Sequence, residues 1–309
     1  MTEARNTGSA EGPSLFARAI ARYDAFFFTE EPVFAAVYFR VALAVWTMAF
    51  FTPRLPHLRE LYTERAIHVP HPWMVRLGGM PELPLWAVWL CVLVLLLSLA
   101  AFATGYHARK LHPLIFVLLC YLLGYDVSTV RGYGQLAFYQ WLVAYCLPYD
   151  RLRDPSGAVL RAPRWSLRLA MMLFTSVYLF GVVAKTHGGE GWFDGKTLYY
   201  TLRGHDYGRF LLSSWFPASL GVARVLGWAT LASECFIGLG LWIRASRPWA
   251  VLVCVVMHGT MALSLRVSIL FHVLMLVHLP LFLSAREWNA LWQKVPMARA
   301  FSALRRIQS

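Results

Sequence analysis

The sequence predicts an all-α fold: a polytopic integral membrane helical bundle of about eight transmembrane helices, with an interfacial amphipathic helix at each end. Three observations predict it. Of 309 residues only 15% are charged while 58% are hydrophobic, with a mean hydropathy of +0.51, whereas a soluble domain carries roughly 25% charged residues. The apolar residues run in continuous stretches of about 20, the length that crosses a hydrocarbon core, and do not alternate as β-barrel strands do. The basic residues, 29 against 16 acidic for a net charge of +13, fall in short segments between those stretches, where positive charge holds loops on the cytoplasmic side. This composition excludes a soluble enzyme, a disordered chain and a fibrous protein. With no basic stripe interleaved with aromatics, it gives no support to a nucleic-acid partner.

Residues 1–14 are polar and read as a disordered N-terminus, with no cleavable leader before the first apolar run. Residues 15–28 mix Arg18, Arg22 and Asp24 with Leu, Ile and Phe. That segment is too short and too charged to span, and suits a helix lying in the interface. The first span is 33–52, closed by Pro53, and the second is 85–104. The third, 112–129, and a short fourth, 135–148, are parted by Arg131-Gly132-Tyr133-Gly134. Residues 167–184, 221–243, 249–265 and 267–284 supply the remaining four, so that 15–285 forms one transmembrane domain. A basic amphipathic tail with Trp288 and Trp292 occupies 286–309. Seventeen basic residues fall on the side of the two termini and eleven on the other, which sets both termini in the cytoplasm. Two connections are long, a proline-rich one at 53–84 and a glycine- and aromatic-rich one at 185–220, and long loops in compact proteins are often functional. Cys91, Cys120, Cys146, Cys235 and Cys254 each lie in an apolar run without CxxC spacing, and read as buried small hydrophobes outside any disulfide. No internal repeat or low-complexity tract is visible.

Ionisable groups inside membrane spans cost roughly 2.5–3.5 kcal/mol each and are kept for pairing or function. Arg40, Asp126, Lys185, Glu234, His258, His272 and His278 are such groups. For Arg40, Asp126 and Glu234 two readings stand: structural pairing, such as Glu234 with Arg40, or a functional site. His272 and His278 are six residues apart, which does not share a helical face as three or four would, and neither HxxxH nor ExxH occurs. No metal site is expected from them. Lys185 ends the apolar helix SVYLFGVVAK and opens onto Thr-His-Gly-Gly-Glu-Gly-Trp-Phe-Asp-Gly. In a dry pocket such an amine sheds its proton and serves as a general base. The competing reading is snorkelling, in which the four-carbon stem lifts the amine to water.

The segment GVVAKTHGGEGWFDGKTLYYTL, with Gly181, Lys185, Trp192, Gly195, Leu198 and Tyr199, resembles the signature of the membrane domain of vitamin K-dependent γ-glutamyl carboxylase and its bacterial relatives, the horizontally transferred transmembrane domain. Arg40 in YFRVALAVW is similar to an Arg in that family's opening helix. Glu234, Arg247 and His258 in SECFIGLGLWIRASRPWAVLVCVVMHGTMAL are similar to its helix with a buried Glu, basic turn and His-bearing helix. The resemblance extends over 15–285.

It implies that Lys185 is the catalytic base and that Arg40, Trp192, Gly195, Tyr199, Glu234 and His258 bind substrate or cofactor in an apolar cavity open to lipid. The cofactor it implies is a reduced quinone, vitamin K-like or menaquinol, with oxygen and carbon dioxide as co-substrates of a lyase. In the carboxylase the lysine deprotonates the hydroquinone, which reacts with oxygen. The strong base so formed removes a peptide glutamate γ-proton, and carbon dioxide adds to the carbanion. The carboxylase also has a large lumenal peptide-binding region, where this sequence has a short tail, and its turn after the lysine differs from Thr186-His187-Gly188. An accessory membrane protein for maturation or export of a peptide, as in a sporulation-delaying toxin system, is therefore the alternative. A transporter ranks behind both for want of repeat symmetry. Membrane lipid and a peptide or protein substrate are the expected partners, and a bacterial inner membrane the expected location.

Overall fold

The computed structural model describes residues 14–63, 81–125, 127–148, 152, 158–187, 190–204, 208 and 219–294. These are mostly helical. Helix α1 (Leu15–Phe28) starts where the Ser14 side chain accepts the Ala17 amide. Strand β1 (Glu30–Pro32) leads into α2 (Phe34–Phe51), which continues through a 3-10 turn, Thr52–His57, into α3 (Leu58–Tyr62). Then come α4 (Leu85–Thr104), α5 (Ala108–Gly124) and α6 (Val127–Ala144). Strand β2 (Arg161–Pro163) pairs antiparallel with β1, Glu31 opposite Ala162, and opens α7 (Trp165–His187). A 3-10 turn, Glu190–Trp192, precedes α8 (Lys196–Arg203), α9 (Leu220–Gly240), α10 (Arg247–Ser264) and α11 (Ile269–Leu276). A last 3-10 turn, Leu279–Phe282, carries Pro280 and ends the eighth apolar segment before α12 (Ala285–Lys294).

Helix α2 is the axis. It packs on α4, α6 and α11, and so joins one group, α4 to α6, to a second, α7 with α9, α10 and α11. Two-thirds of its apolar window is buried (67%), against 22–33% for the other candidate spans. The outer faces of those spans expose Leu93, Leu97, Phe180, Val225 and Val256. That pattern belongs to helices whose solvent is hydrocarbon. In lipid, apolar contact between helices brings no transfer gain, so close packing and interhelical hydrogen bonds decide which helices meet. Trp46 Nε1 donates to Leu270 O at 2.7 Å, Trp141 Nε1 to Thr47 Oγ1 at 3.0 Å and Tyr38 Oη to Val277 O at 3.0 Å. All three tie α2 to its neighbours.

Helices occur at every segment expected to span, yet by length and composition five can cross a membrane: Phe34–Tyr62, Leu85–Thr104, Trp165–His187, Leu220–Gly240 and Arg247–Ser264. A pair bent by 111°, Ile269–Phe282 with Ala285–Leu291, makes up to six. Helix α5 is 17 residues long, and α6 carries Ser128, Thr129, Arg131 and two glutamines. The expected break at 131–134 is absent because α6 runs through it. Gly134 is buried and lines, with Trp46 and Phe50 of α2, a void of about 10 Å³, so it faces the bundle from within a helix where a turn was anticipated. Asp126 lies outside the described residues, as do 1–13 and 295–309.

The cysteines depart from expectation too. All five are free, but only Cys254 is buried; Cys91 and Cys120 are half-buried, and Cys146 and Cys235 are exposed. A lipid-facing surface is as apolar as the interior, so an apolar run does not tell the two apart.

The α7–α9 contact is set by Gly238, where an added Cβ would come within 2.6 Å of Leu179 Cδ2. Gly238→Val is expected to lose about 1–3 kcal/mol of stability by overpacking. Gly259→Ala, with nothing within 4 Å of its added Cβ, is expected to be neutral or stabilising by up to about 1 kcal/mol. Thermal unfolding in detergent, followed by loss of the monodisperse peak, compares them.

Candidate functional site

Helix α7 places Phe174, Tyr178, Gly181 and Lys185 on one face, at spacings of four, three and four residues. Helix α9 offers Gly227, Leu231, Glu234 and Gly238 in the same way, and the two faces meet. Lys185 Nζ donates to both carboxylate oxygens of Glu234, at 2.5 and 2.6 Å. The side chains keep 21% and 13% of their exposure. The amine lies 3.5 Å from where a Gly181 Cβ would be, as does Glu234 Oε2. Lys185 is therefore folded back along α7 by one turn, towards the middle of the helix, and not outward to water. Side chains on a helix lean to its N-terminus, and a bare residue at 181 leaves the groove in which this one lies. The geometry opposes snorkelling.

The 3-10 turn Glu190–Trp192 brings an aromatic ring to the pair. Lys185 Nζ stands 5.2 Å from the centre of the Trp192 ring. Trp192 is seated by α9: its carbonyl oxygen would be 2.8 Å from a Cβ at Gly227, so only glycine admits it. Gly195, at φ +83°, is buried against the backbone of Arg224, which a Cβ would overlap at 2.7 Å from Cα. Gly195 thus serves a left-handed turn and a close approach together. Asp194 caps α8, accepting the Lys196 amide at 2.8 Å and the Lys196 ammonium at 2.7 Å. These bonds hold its carboxyl below the usual carboxylate range. The cap is accordingly intact above that range and is lost as pH falls through the lowered value. Tyr199 faces Arg203, which donates to its hydroxyl and lies 4.9 Å over its ring.

Deeper in the bundle, His258 is buried with its Nε2 2.8 Å from Tyr178 Oη and its Nδ1 3.1 Å from His272 Nδ1. Tyr178 Oη is also 3.3 Å from Cys254 Sγ. The contact between two Nδ1 atoms requires one ring to donate and the other to accept. Two proton arrangements satisfy it: Tyr178 to His258 to His272, or the reverse. His278 is separate, stacked on Phe174 at 4.8 Å with Nδ1 2.6 Å from Leu274 O. Among the described residues no group of three or more His, Cys, Asp or Glu side chains is placed to hold a metal ion.

Of the residues singled out in the sequence, Lys185, Glu234 and Trp192 come together, and Gly195 shapes the turn that carries Trp192. His258 joins the same face of α7 through Tyr178. The pairing of Glu234 with Arg40 is not found, because Lys185 takes the carboxylate. Arg40 is buried, donates to Ala103 O at 3.2 Å and packs its guanidinium on Gly105, whose φ is +89°. There it meets the negative end of α4. Sequence reasoning missed Tyr178, Gly227 and Cys254. Their signal was present as spacing: Tyr178 seven residues before Lys185, Gly227 seven before Glu234, Cys254 four before His258.

The Gly227 approach yields a test. Gly227→Ala is expected to push the 190–203 segment off α9 and raise its amide hydrogen exchange at least about tenfold, with the exchange of α4 unchanged.

No curated protein and no solved structure matches the chain. One family model does match, the HTTM domain, over residues 35–288, which takes in every element from α2 to the start of α12. The chain belongs to the HTTM domain family, the transmembrane domain related to vitamin K-dependent carboxylase.

Proposed function

We propose that this protein is a membrane enzyme of quinol-dependent deprotonation and oxygenation chemistry, a carboxylase-like lyase, with Lys185 as its base. The observation that carries the reading is the amine folded back over Gly181 onto Glu234, half-buried under Trp192. A surface lysine that merely anchors a helix would extend to water. Charge separation in apolar surroundings is costly, so the reading places the proton between Lys185 and Glu234, 2.5–2.6 Å apart, on the carboxylate. Held on Glu234, it leaves an uncharged Lys185 amine whose lone pair takes a hydroxyl proton. The oxyanion left by that hydroxyl then balances the ammonium, and Glu234 stays protonated.

The residues present suit a reduced quinone. The Trp192 ring offers a flat apolar wall beside the amine, and Glu234 is an acceptor for a hydroxyl. A reduced quinone bound there, vitamin K-like or menaquinol, supplies the reducing power for oxygen, with carbon dioxide as the second co-substrate. Gly195 shapes the turn beside the site and Tyr199 lies in α8, which follows it, and Tyr178 with His258 extends the site along α7. Arg40 holds the end of α4 on this reading. The protein substrate is a peptide carboxylate reached from outside the chain.

The same reading sets about eight helical segments across a bacterial inner membrane, with both termini cytoplasmic and α1 and the 286–309 tail in the interface. Its support is the seventeen of 29 basic residues that fall on that side and the exposed Leu15, Phe16 and Ile20 of α1.

Oxygen uptake with menaquinol in lipid nanodiscs tests the chemistry. Lys185→Ala is expected to lower the rate by about 10²–10⁴, the usual worth of a general base. Lys185→Arg, which keeps the charge opposite Glu234, is expected to be equally inactive while leaving the protein folded. Should wild-type protein consume no oxygen, or both variants keep its rate, the enzymatic reading gives way to the accessory peptide-maturation role.

A further inference from the structure

At the opposite end of α7 from Lys185 the bundle gathers four arginines. Arg164 immediately precedes α7 and Arg168 lies in its first turn, while Arg244 precedes α10 and Arg247 begins it. Arg168 and Arg247 bracket the turn between α9 and α10. The Arg168 guanidinium lies 4.1 Å over Phe26 and 5.7 Å from the Trp242 ring centre, with Nε donating to Phe26 O at 3.3 Å. Arg247 Nε donates to Leu241 O at 3.1 Å. Three of the four are half-buried, and Arg244 is exposed.

This arrangement is electrostatically unfavourable by itself. A helix N-terminus carries partial positive charge and disfavours cations, yet two helices begin within this one cluster. The charge of Arg247 is felt by Arg168, and those of Arg164 and Arg244 by Arg247. Among the described residues two carboxylates stand against the four positive charges. Glu31 takes Arg164 Nη1 at 2.5 Å, and Glu287 is engaged by the Ser284 amide and hydroxyl at 2.7 and 2.6 Å. Arg164 Nε is buried without a hydrogen-bond partner, and the Nη atoms of Arg247 have no partner among the described residues.

The exposed side chains beside the cluster point to what completes it. Trp165 and Trp249, in the first turns of α7 and α10, are exposed, as aromatics at the headgroup level are. Helix α1, packed on α7, presents Phe16, Ile20 and Phe28 outward. The place is polar and cationic at its centre and apolar beside it.

We propose that Arg164, Arg168, Arg244 and Arg247 bind the phosphate of an anionic phospholipid whose acyl chains lie along the outward face of α1. Guanidinium groups match phosphate oxygens in pairs, and a basic pocket between helices on the cytoplasmic side is where such headgroups bind. The site is independent of Lys185 and stands or falls separately from the enzymatic reading.

Native mass spectrometry of the full chain, titrated in detergent with phosphatidylglycerol or phosphatidylcholine of identical acyl chains, tests it. Phosphatidylglycerol is expected to be retained at least about tenfold more tightly. Arg168→Gln combined with Arg247→Gln is expected to abolish that preference, and exposed Arg244→Gln alone to weaken it several-fold without affecting folding. Arg266→Gln, in the turn at the far end of α10, is expected to leave it unchanged. Equal retention of the two lipids overturns the site, and so does an undiminished preference in the Arg244 variant. Displacement of phosphatidylglycerol by millimolar inorganic phosphate overturns the lipid as its occupant.

Discussion

The architecture around the site depends on one contact, the amine of Lys185 held between the two oxygens of Glu234. Neither group is tolerable alone in a hydrocarbon-bounded bundle, since an unpaired charge there costs far more than most single contacts return. The pair therefore dictates that α7 and α9 lie close enough for their side chains to meet at 2.5–2.6 Å. Glycine is what allows it. Gly181 clears the path of the folded lysine, Gly238 lets Leu179 lie against α9, and Gly227 admits the carbonyl of Trp192. Each is a place where lipid cannot drive association and backbone proximity must.

Helix α7 organises three levels of chemistry. At its C-terminal end is the amine–carboxylate couple under an aromatic ring. Two turns earlier Tyr178 reaches His258 and, through it, His272, in a buried line whose proton direction is reversible by its own geometry. At its N-terminal end Arg168 is stacked between aromatics among other arginines. One helix thus carries polar contacts near both of its ends and at its middle.

Much of this was legible in the residues. The apolar runs marked where helices form, and the positions of Lys185 and Glu234 within them marked both as groups needing a reason. What was not legible was partnership. Glu234 lies in mid-helix and Arg40 in another, and no spacing rule within either helix says whether they meet; the structure gives the carboxylate to Lys185 and Arg40 to the end of α4. The break expected at Arg131-Gly132-Tyr133-Gly134 failed for a related reason, since a glycine that looks like a turn in isolation is also accommodated inside a helix when, as at Gly134, it faces the bundle interior. The exposed Cys146 and Cys235 show the same blindness to direction, because lipid-facing and core-facing positions draw on one apolar alphabet.

By itself the sequence determined the class of solvent this protein folds in, the helices that solvent enforces, and the few ionisable side chains that cannot be idle in it. These follow from local quantities, the length of an apolar run and the cost of a charge within it. Which helices touch, which way Lys185 turns, and which histidine meets Tyr178 were decided only in three dimensions. Those outcomes depend on close approach between segments distant in the chain, and in a bundle without a hydrophobic gradient to sort its faces, shape and polar pairing alone select among them.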